Sequence, residues 1–359
     1  MIWLGAIFAF YWFEPNRNPR AFKWDSPLIH DLGSFTDVWA RWDSVFFVRI
    51  AEHGYTSTSA AFYPLYPALV AGLGRAFFGH YVLAGIVISL AAAAGAFLLL
   101  HRIAEERLGA DGAQRAVLYL AIFPMALFLQ AVYSESLYLL LVLGAFVLAE
   151  RGRFGVAGIV TGLAILTRAA GFALLPALGL LAWRARHRRR AFAGLALALP
   201  VAAAYPLLLW QQIGHPWAFW NAQDQWHRYL SRAGPLGGIW AALTHWTPAH
   251  ADFQHAVAVN AEGLVALALF APLTVVAWRR FGTPSGLFVA LSLALPLSYP
   301  SSRWPLLSLP RFGLVIFPLF LALAALTTGR PRAHTALVAC SSLLLGVAVV
   351  QWALWQWVA

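Results

Sequence analysis

Long apolar runs broken by short polar connections set the pattern of this chain. Apolar stretches recur at about 81–101, 114–132, 134–149, 155–167, 171–183, 191–212, 259–278, 285–299, 311–327 and 335–357. Most approach the about 17–25 residues that a membrane-crossing helix needs. Helices are the spanning structures such runs form where no water is present to satisfy the backbone. Residues 2–13 are apolar but shorter; without a basic leader or a small-residue cleavage site they read as the end of a first transmembrane helix rather than a signal peptide. The expectation is an all-α polytopic membrane protein of about eleven transmembrane helices, forming one domain over 1–359. Two longer polar insertions, 14–80 and 213–258, interrupt the pattern.

Composition agrees. Of 359 residues, 61% are hydrophobic and only 11% charged, against the roughly 25% charged residues of a soluble domain. Mean hydropathy is +0.69. The net charge of +11 does not mark a nucleic-acid partner, because the basic residues fall in short connections. His101-Arg102 to Arg115, Arg151-Gly152-Arg153, Arg184 to Arg190, Arg279-Arg280 and Arg330 to Arg332 occupy alternate connections. The positive-inside rule makes that side cytoplasmic, provided that 155–167 and 171–183 are separate crossings. The insertions 14–80 and 213–258, the connection 133–135, the turn at Thr167 to Gly171 and the loop 300–310 then share the extracytoplasmic side. Lys23 is the only lysine, which hints at a GC-rich genome, and the lone Cys340 sits in an apolar run where no disulfide or thiolate metal site is expected.

Within 14–80, the stretch 37–55 (DVWARWDSVFFVRIAEHGY) reads as a helix. Asp37 has Arg41 at i+4, but Asp43 has only Trp39, Phe46, Phe47 and Ile50 at helical spacing. An ionised carboxylate on an aromatic face is costly unless something outside the helix uses it. Two readings are open: an interfacial acid reaching water, or a general base in a partly dry cleft. The stretch 61–79, with Pro64 and Pro67, reads as a second helix lying at the membrane surface, with Tyr63, Tyr66, Phe77 and Phe78 at headgroup level.

Three further residues need explaining. Glu135 lies among Ala131, Val132, Tyr138 and Leu139; it either complements the dipole of a helix capped by Ser134 or contacts substrate. Arg168 and Arg311, with Arg303 nearby, sit on the side depleted of other basic residues. They are snorkelling anchors or a phosphate clamp, since guanidinium matches phosphate oxygens bidentately. The loop 213–258 is dense in rings, with Trp217, Trp220, Trp226, Tyr229, Trp240 and Trp246. These suit the membrane interface, or stacking on sugars or lipid chains. His245, His250 and His255, with Asp252, recur at a five-residue interval that aligns on no helical face, so no metal site is expected.

RWDSVFFVRIAEHGY (41–55), AFYPLYP (61–67), FPMALFLQAVYSESLYLLL (123–141), LTRAAG (166–171) and LPRFGLVIFPLFLAL (309–323) follow one another in the chain. Together they resemble the PIG-V type mannosyltransferases, glycosyltransferase family 76, from about residue 37 to 325. The resemblance implies a GT-C architecture, an extracytoplasmic or lumenal active site and a polyprenyl-phosphate sugar donor, typically carrying mannose. It places Asp43 at the family's catalytic position and matches Glu135, Arg168 and Arg311 to the acidic and basic residues of the later blocks. Trp42, His53 and Tyr133, in the same blocks, are the remaining expected substrate contacts. The expected reaction inverts the anomeric centre: Asp43 takes the acceptor's proton, the arginines bind phosphate and Glu135 holds sugar hydroxyls. No D-x-D pair is present, and neither metal nor other cofactor is expected. The acceptor is a glycolipid, glycan or protein. The membrane is the plasma membrane in a bacterium or the endoplasmic reticulum in a eukaryote. A lipid-linked sugar flippase is the rival class, although it would show internal repeats; a scaffold that keeps the fold without chemistry is a third.

Overall fold

A computed structural model describes residues 2–13, 32–244, 250–251 and 254–358. Nearly every described element is a helix; the exception is a two-residue hairpin pairing His250–Ala251 with Gln254–His255. Four helices are long and apolar enough to cross a membrane: Tyr81–Ala121, Arg188–Ile213, Val259–Ser298 and Pro331–Ala353. Ile2–Trp12, Phe154–Ile165, Ala169–Arg184 and Phe317–Thr327 are shorter apolar helices. The chain is a membrane protein.

Two of the long elements turn back on themselves. Gly109 (φ 75°, ψ 179°) and Gly282 (φ 85°, ψ 168°) break the helical backbone inside Tyr81–Ala121 and Ala256–Ser298. Both are left-handed positions that glycine adopts without steric cost. The second break is a sharp reversal. A β-carbon on Gly286 would sit 2.6 Å from the Trp278 side chain, whereas eight residues of straight helix span about 12 Å. The expected division near residue 280 is therefore present. The expected polar loop at 102–113 is mostly helix, interrupted at Gly109 alone.

Residues 155–183 are not one long helix. Phe154–Ile165 ends at Leu166, Arg168 is extended (φ −158°, ψ 145°), and a 3₁₀ turn at Ala169–Ala173 leads into Leu174–Arg184. Phe154–Ile165 lies so close to Arg188–Leu195 that a β-carbon on Gly158 would fall 2.1 Å from the Gly194 carbonyl oxygen. Such backbone contact through small residues is how apolar helices pack without water to drive them together. The expected single helix 311–327 is instead two, Leu309–Leu314 and Phe317–Thr327. Pro318 accounts for the break: its ring would collide with the carbonyl four residues back, that of Leu314.

The two expected surface helices of the first insertion also differ from their prediction. Residues 37–55 are not continuous: Ser34–Asp37 is one short helix, Trp42 turns left-handed (φ 54°), and Ser44–His53 is a second. Asp43 therefore precedes a helix rather than sitting inside one, and the spacing argument from Trp39 fails. Leu65–Ala76 is helical and Phe78 is exposed, but Tyr66 is fully buried. Its hydroxyl is within 3.0 Å of the Gly85 carbonyl and 2.9 Å of Ser89 Oγ, far from a headgroup position.

The basic connections meet at one end of the bundle. Arg107 pairs with Glu150 and donates to Ser285 Oγ at 3.4 Å. Arg115 reaches the Thr327 carbonyl at 3.3 Å, and Tyr119 joins Thr327 to His334. Helix Glu135–Glu150 runs from that end to the opposite one, about 24 Å for 16 residues at 1.5 Å each.

Candidate active site

At the far end of that helix a cavity of about 400 Å³ opens, within the roughly 300–1,000 Å³ of small-molecule sites. Asp43, Tyr133, Glu135, Arg168 and Arg311 all line it.

Asp43 is aimed by its backbone. Tyr133 Oη accepts from the Asp43 N–H at 3.1 Å and donates to the Arg41 carbonyl at 3.3 Å. The Val132 N–H bonds the Trp39 carbonyl, and Trp352 Nε1 donates to that of Val38. Buried Arg41 pairs with Asp37 at 3.1 Å and stacks on Trp355. With the chain pinned on both sides of the left-handed Trp42, the Asp43 side chain does not cap the helix it precedes. It turns instead to Arg311, whose Nη1 lies 2.8 Å from Oδ2; the other oxygen, Oδ1, makes no hydrogen bond among the described residues.

Glu135 is the first residue of its helix, where the dipole favours a negative charge. Its carboxylate bridges two arginines: Arg168 Nη1 at 2.5 Å and Arg311 Nε at 3.4 Å from Oε1. Oε2 has no hydrogen-bond partner among the described residues. Ser134 does not cap as expected; its Oγ accepts from Arg168 Nη1 at 3.4 Å. The arginines are held in turn by rings: Arg168 over Phe312, and Arg311 over Phe128, Tyr133 and Phe312. Burial, with the Asp43 carboxylate beside it, pushes the Tyr133 phenol well above the usual tyrosine range. It stays protonated and serves as a fixed donor and acceptor.

Two expected contacts are placed elsewhere. The His53 ring is 73% exposed beside Glu52 and does not line the cavity, because helix Ser44–His53 carries it away from Asp43. Trp42 is buried edge-on against Trp355 and Trp357, so its ring packs the wall rather than facing the cavity. Of the aromatic loop, Trp220 reaches the cavity, while Trp217 and Trp240 are exposed. His245, Trp246 and Asp252 lie outside the described residues, as do the side chains of Trp226, His250 and His255.

Arg228 was not singled out from sequence. It also lines the cavity, and donates from Nη1 to the Tyr299 carbonyl at 2.9 Å and from Nη2 to that of Leu307 at 3.0 Å. Its loop is laced to residues 298–302 through Ser231 N to Ser298 O, Tyr229 N to Pro300 O and Ser302 N to His227 O. One signal was available: like Arg168 and Arg311, Arg228 sits on the side where basic residues are otherwise sparse.

A family model described as mannosyltransferase (PIG-V) matches residues 26–195. Over that stretch, a little under half of its length, the chain is similar to the PIG-V type family. Asp43, Glu135 and Arg168 fall inside the matched stretch; Arg228 and Arg311 lie beyond it. No curated protein matches the chain in sequence. Among solved structures, ArnT from Cupriavidus metallidurans in the apo state is similar over 81% of this chain and 55% of its own, with 17% identity and a TM-score of 0.53. ArnT bound to undecaprenyl phosphate is similar over 85% and 57%, with 17% identity and a TM-score of 0.52. The likeness is one of fold, and the chain spans a little over half the length of the ArnT structures it matches.

Proposed function

We propose that the protein is an inverting glycosyltransferase that moves a sugar, mannose by its family, from a polyprenyl-phosphate donor to a lipid, glycan or protein acceptor. The observation that carries this reading is the meeting of Asp43, Glu135, Arg168 and Arg311 around one cavity. The family match supports a sugar-transfer role, and undecaprenyl phosphate in a structure of similar fold supports a lipid-phosphate donor. The basic connections sit at the opposite end of helix Glu135–Glu150, so the positive-inside rule favours an extracytoplasmic or lumenal site.

In this scheme the acceptor hydroxyl attacks the anomeric carbon while its proton passes to Asp43 Oδ1, the oxygen that Arg311 does not occupy. Positive charge around the cavity stabilises the phosphate as it leaves. Glu135 Oε2 is free to receive a sugar hydroxyl. The chemistry requires no metal bridge, since a lipid phosphate departs without the pyrophosphate that a nucleotide donor carries. The test is transfer from synthetic polyprenyl-phosphate mannose to endogenous lipid, using membranes that contain the protein. Mannolipid that appears with the wild type and not with an Asp43 variant supports the reading. Equal transfer with and without the protein would remove it.

A further inference from the structure

The charges around the cavity do not balance. Asp43 and Glu135 face Arg168, Arg228 and Arg311, three positive groups against two negative. Both carboxylates are engaged: Glu135 with Arg168 and Arg311, Asp43 with Arg311. Among the described residues Arg228 is in no ion pair. Its bonds to the Tyr299 and Leu307 carbonyls use two of a guanidinium's five N–H donors. Its charge therefore faces the cavity without a carboxylate in direct contact; Asp43, already bonded to Arg311, acts on it only at a distance.

All three guanidiniums also surround one ring. Their central carbons lie 5.6, 5.9 and 5.7 Å from the Phe312 centroid for Arg168, Arg228 and Arg311. Burial, followed by the charge on Arg311, pulls Arg228 down to about 10; it remains charged at neutral pH, but in a setting that disfavours another cation. A site that gathers three cations and supplies two anions is completed by an anionic ligand.

We propose that Arg228 is the residue that takes the phosphate of the lipid-linked sugar, while Arg168 and Arg311 hold the two carboxylates in position. This rests on the transferase reading above. During transfer the bond from the acceptor oxygen to the anomeric carbon forms as the anomeric carbon–oxygen bond to phosphate breaks. The electron pair stays on the phosphate oxygen and the acceptor's proton goes to Asp43. A phosphodiester with one negative charge becomes a monoester carrying about −1.5 to −2. Arg228 thus interacts more strongly with the leaving group than with the donor, which is the condition for accelerating the step. The two carbonyl bonds fix its fork before any ligand arrives, so little ordering cost remains.

The test is binding of undecaprenyl phosphate and of undecaprenol, the same chain without phosphate, to the purified full chain in lipid nanodiscs. Wild type is expected to prefer the phosphate. Arg228→Gln should weaken undecaprenyl phosphate binding by about ten- to a hundredfold, the value of a charge-assisted hydrogen bond, and leave undecaprenol binding unchanged. Arg228→Lys, which keeps the charge, should retain the preference, and it carries the test if the Gln variant does not fold. Folded Arg228→Gln with wild-type affinity for the phosphate overturns the assignment, as does folded Arg228→Lys that binds both lipids alike. A wild type that binds both lipids equally overturns the transferase reading with it.

Discussion

Arg311 and Asp43 are 268 positions apart in the chain and 2.8 Å apart in space. Their ion pair closes the first insertion onto the short helix Leu309–Leu314, so an acid near the start of the chain and a base near its end share one wall. Asp43→Asn keeps the shape of that wall and removes the proton acceptor. Sugar transfer should fall by about 10²–10⁴-fold, the usual contribution of a positioned base, with only a small loss of thermal stability, because Arg311 keeps Glu135 as a partner. Near-normal turnover would exclude Asp43 as the base.

Arg311→Met should act differently. It leaves Asp43 and Glu135 facing each other around a side chain that can neutralise neither. Breaking a buried pair by removing one partner costs about 3–5 kcal/mol; with Asp43 13% and Arg311 10% exposed, the lower figure is expected. The unfolding midpoint in detergent should drop together with activity, and by more than in Asp43→Asn, where Arg311 keeps Glu135 as a partner. Arg311→Lys should recover part of the stability, but a point charge cannot reproduce the two-sided contact with Asp43 and Glu135.

His53→Ala should change little. The ring is outside the cavity and mostly in solvent, and an exposed pair with Glu52 contributes at most about 1 kcal/mol. Transfer within about twofold of wild type is expected. A hundredfold loss would show that the histidine reaches substrate after all.

Gly158→Ala tests the packing rather than the chemistry. One added methyl would have to displace the Gly194 carbonyl, 2.1 Å from where it would sit, and overpacking of this kind costs about 1–3 kcal/mol. A lower unfolding midpoint is expected. An unchanged or higher one would mean that the two helices separate without penalty.

Much of the arrangement is legible in the sequence, for reasons that differ between residues. Asp43, Glu135, Arg168 and Arg311 stand out because an ion in an apolar chain is expensive, and expensive residues have partners. What could not be read was which partners. The i+4 relation correctly paired Asp37 with Arg41, but no periodicity connects position 43 to position 311. The helix expected over 37–55 failed at Trp42, whose left-handed backbone is imposed by tertiary hydrogen bonds at Val38, Trp39, Arg41 and Asp43. Tyr66 was misread because an aromatic beside prolines looks interfacial until Gly85 and Ser89 arrive from another helix. Arg228 was hidden among the rings of a loop. Only the strand-like contact between its loop and residues 298–302 brings it to the cavity.

That contact is made by the main chain, and main-chain bonds do not depend on side-chain identity. Ser231, Tyr229 and His227 join their partners through backbone N–H and carbonyl groups, so their side chains can be exchanged while the guanidinium at 228 stays where it is. The outer loop can therefore be rewritten toward the solvent without disturbing the charge it delivers inward. One segment carries a replaceable surface and a fixed electrostatic anchor, so its outer face can change while the charge at the cavity holds still.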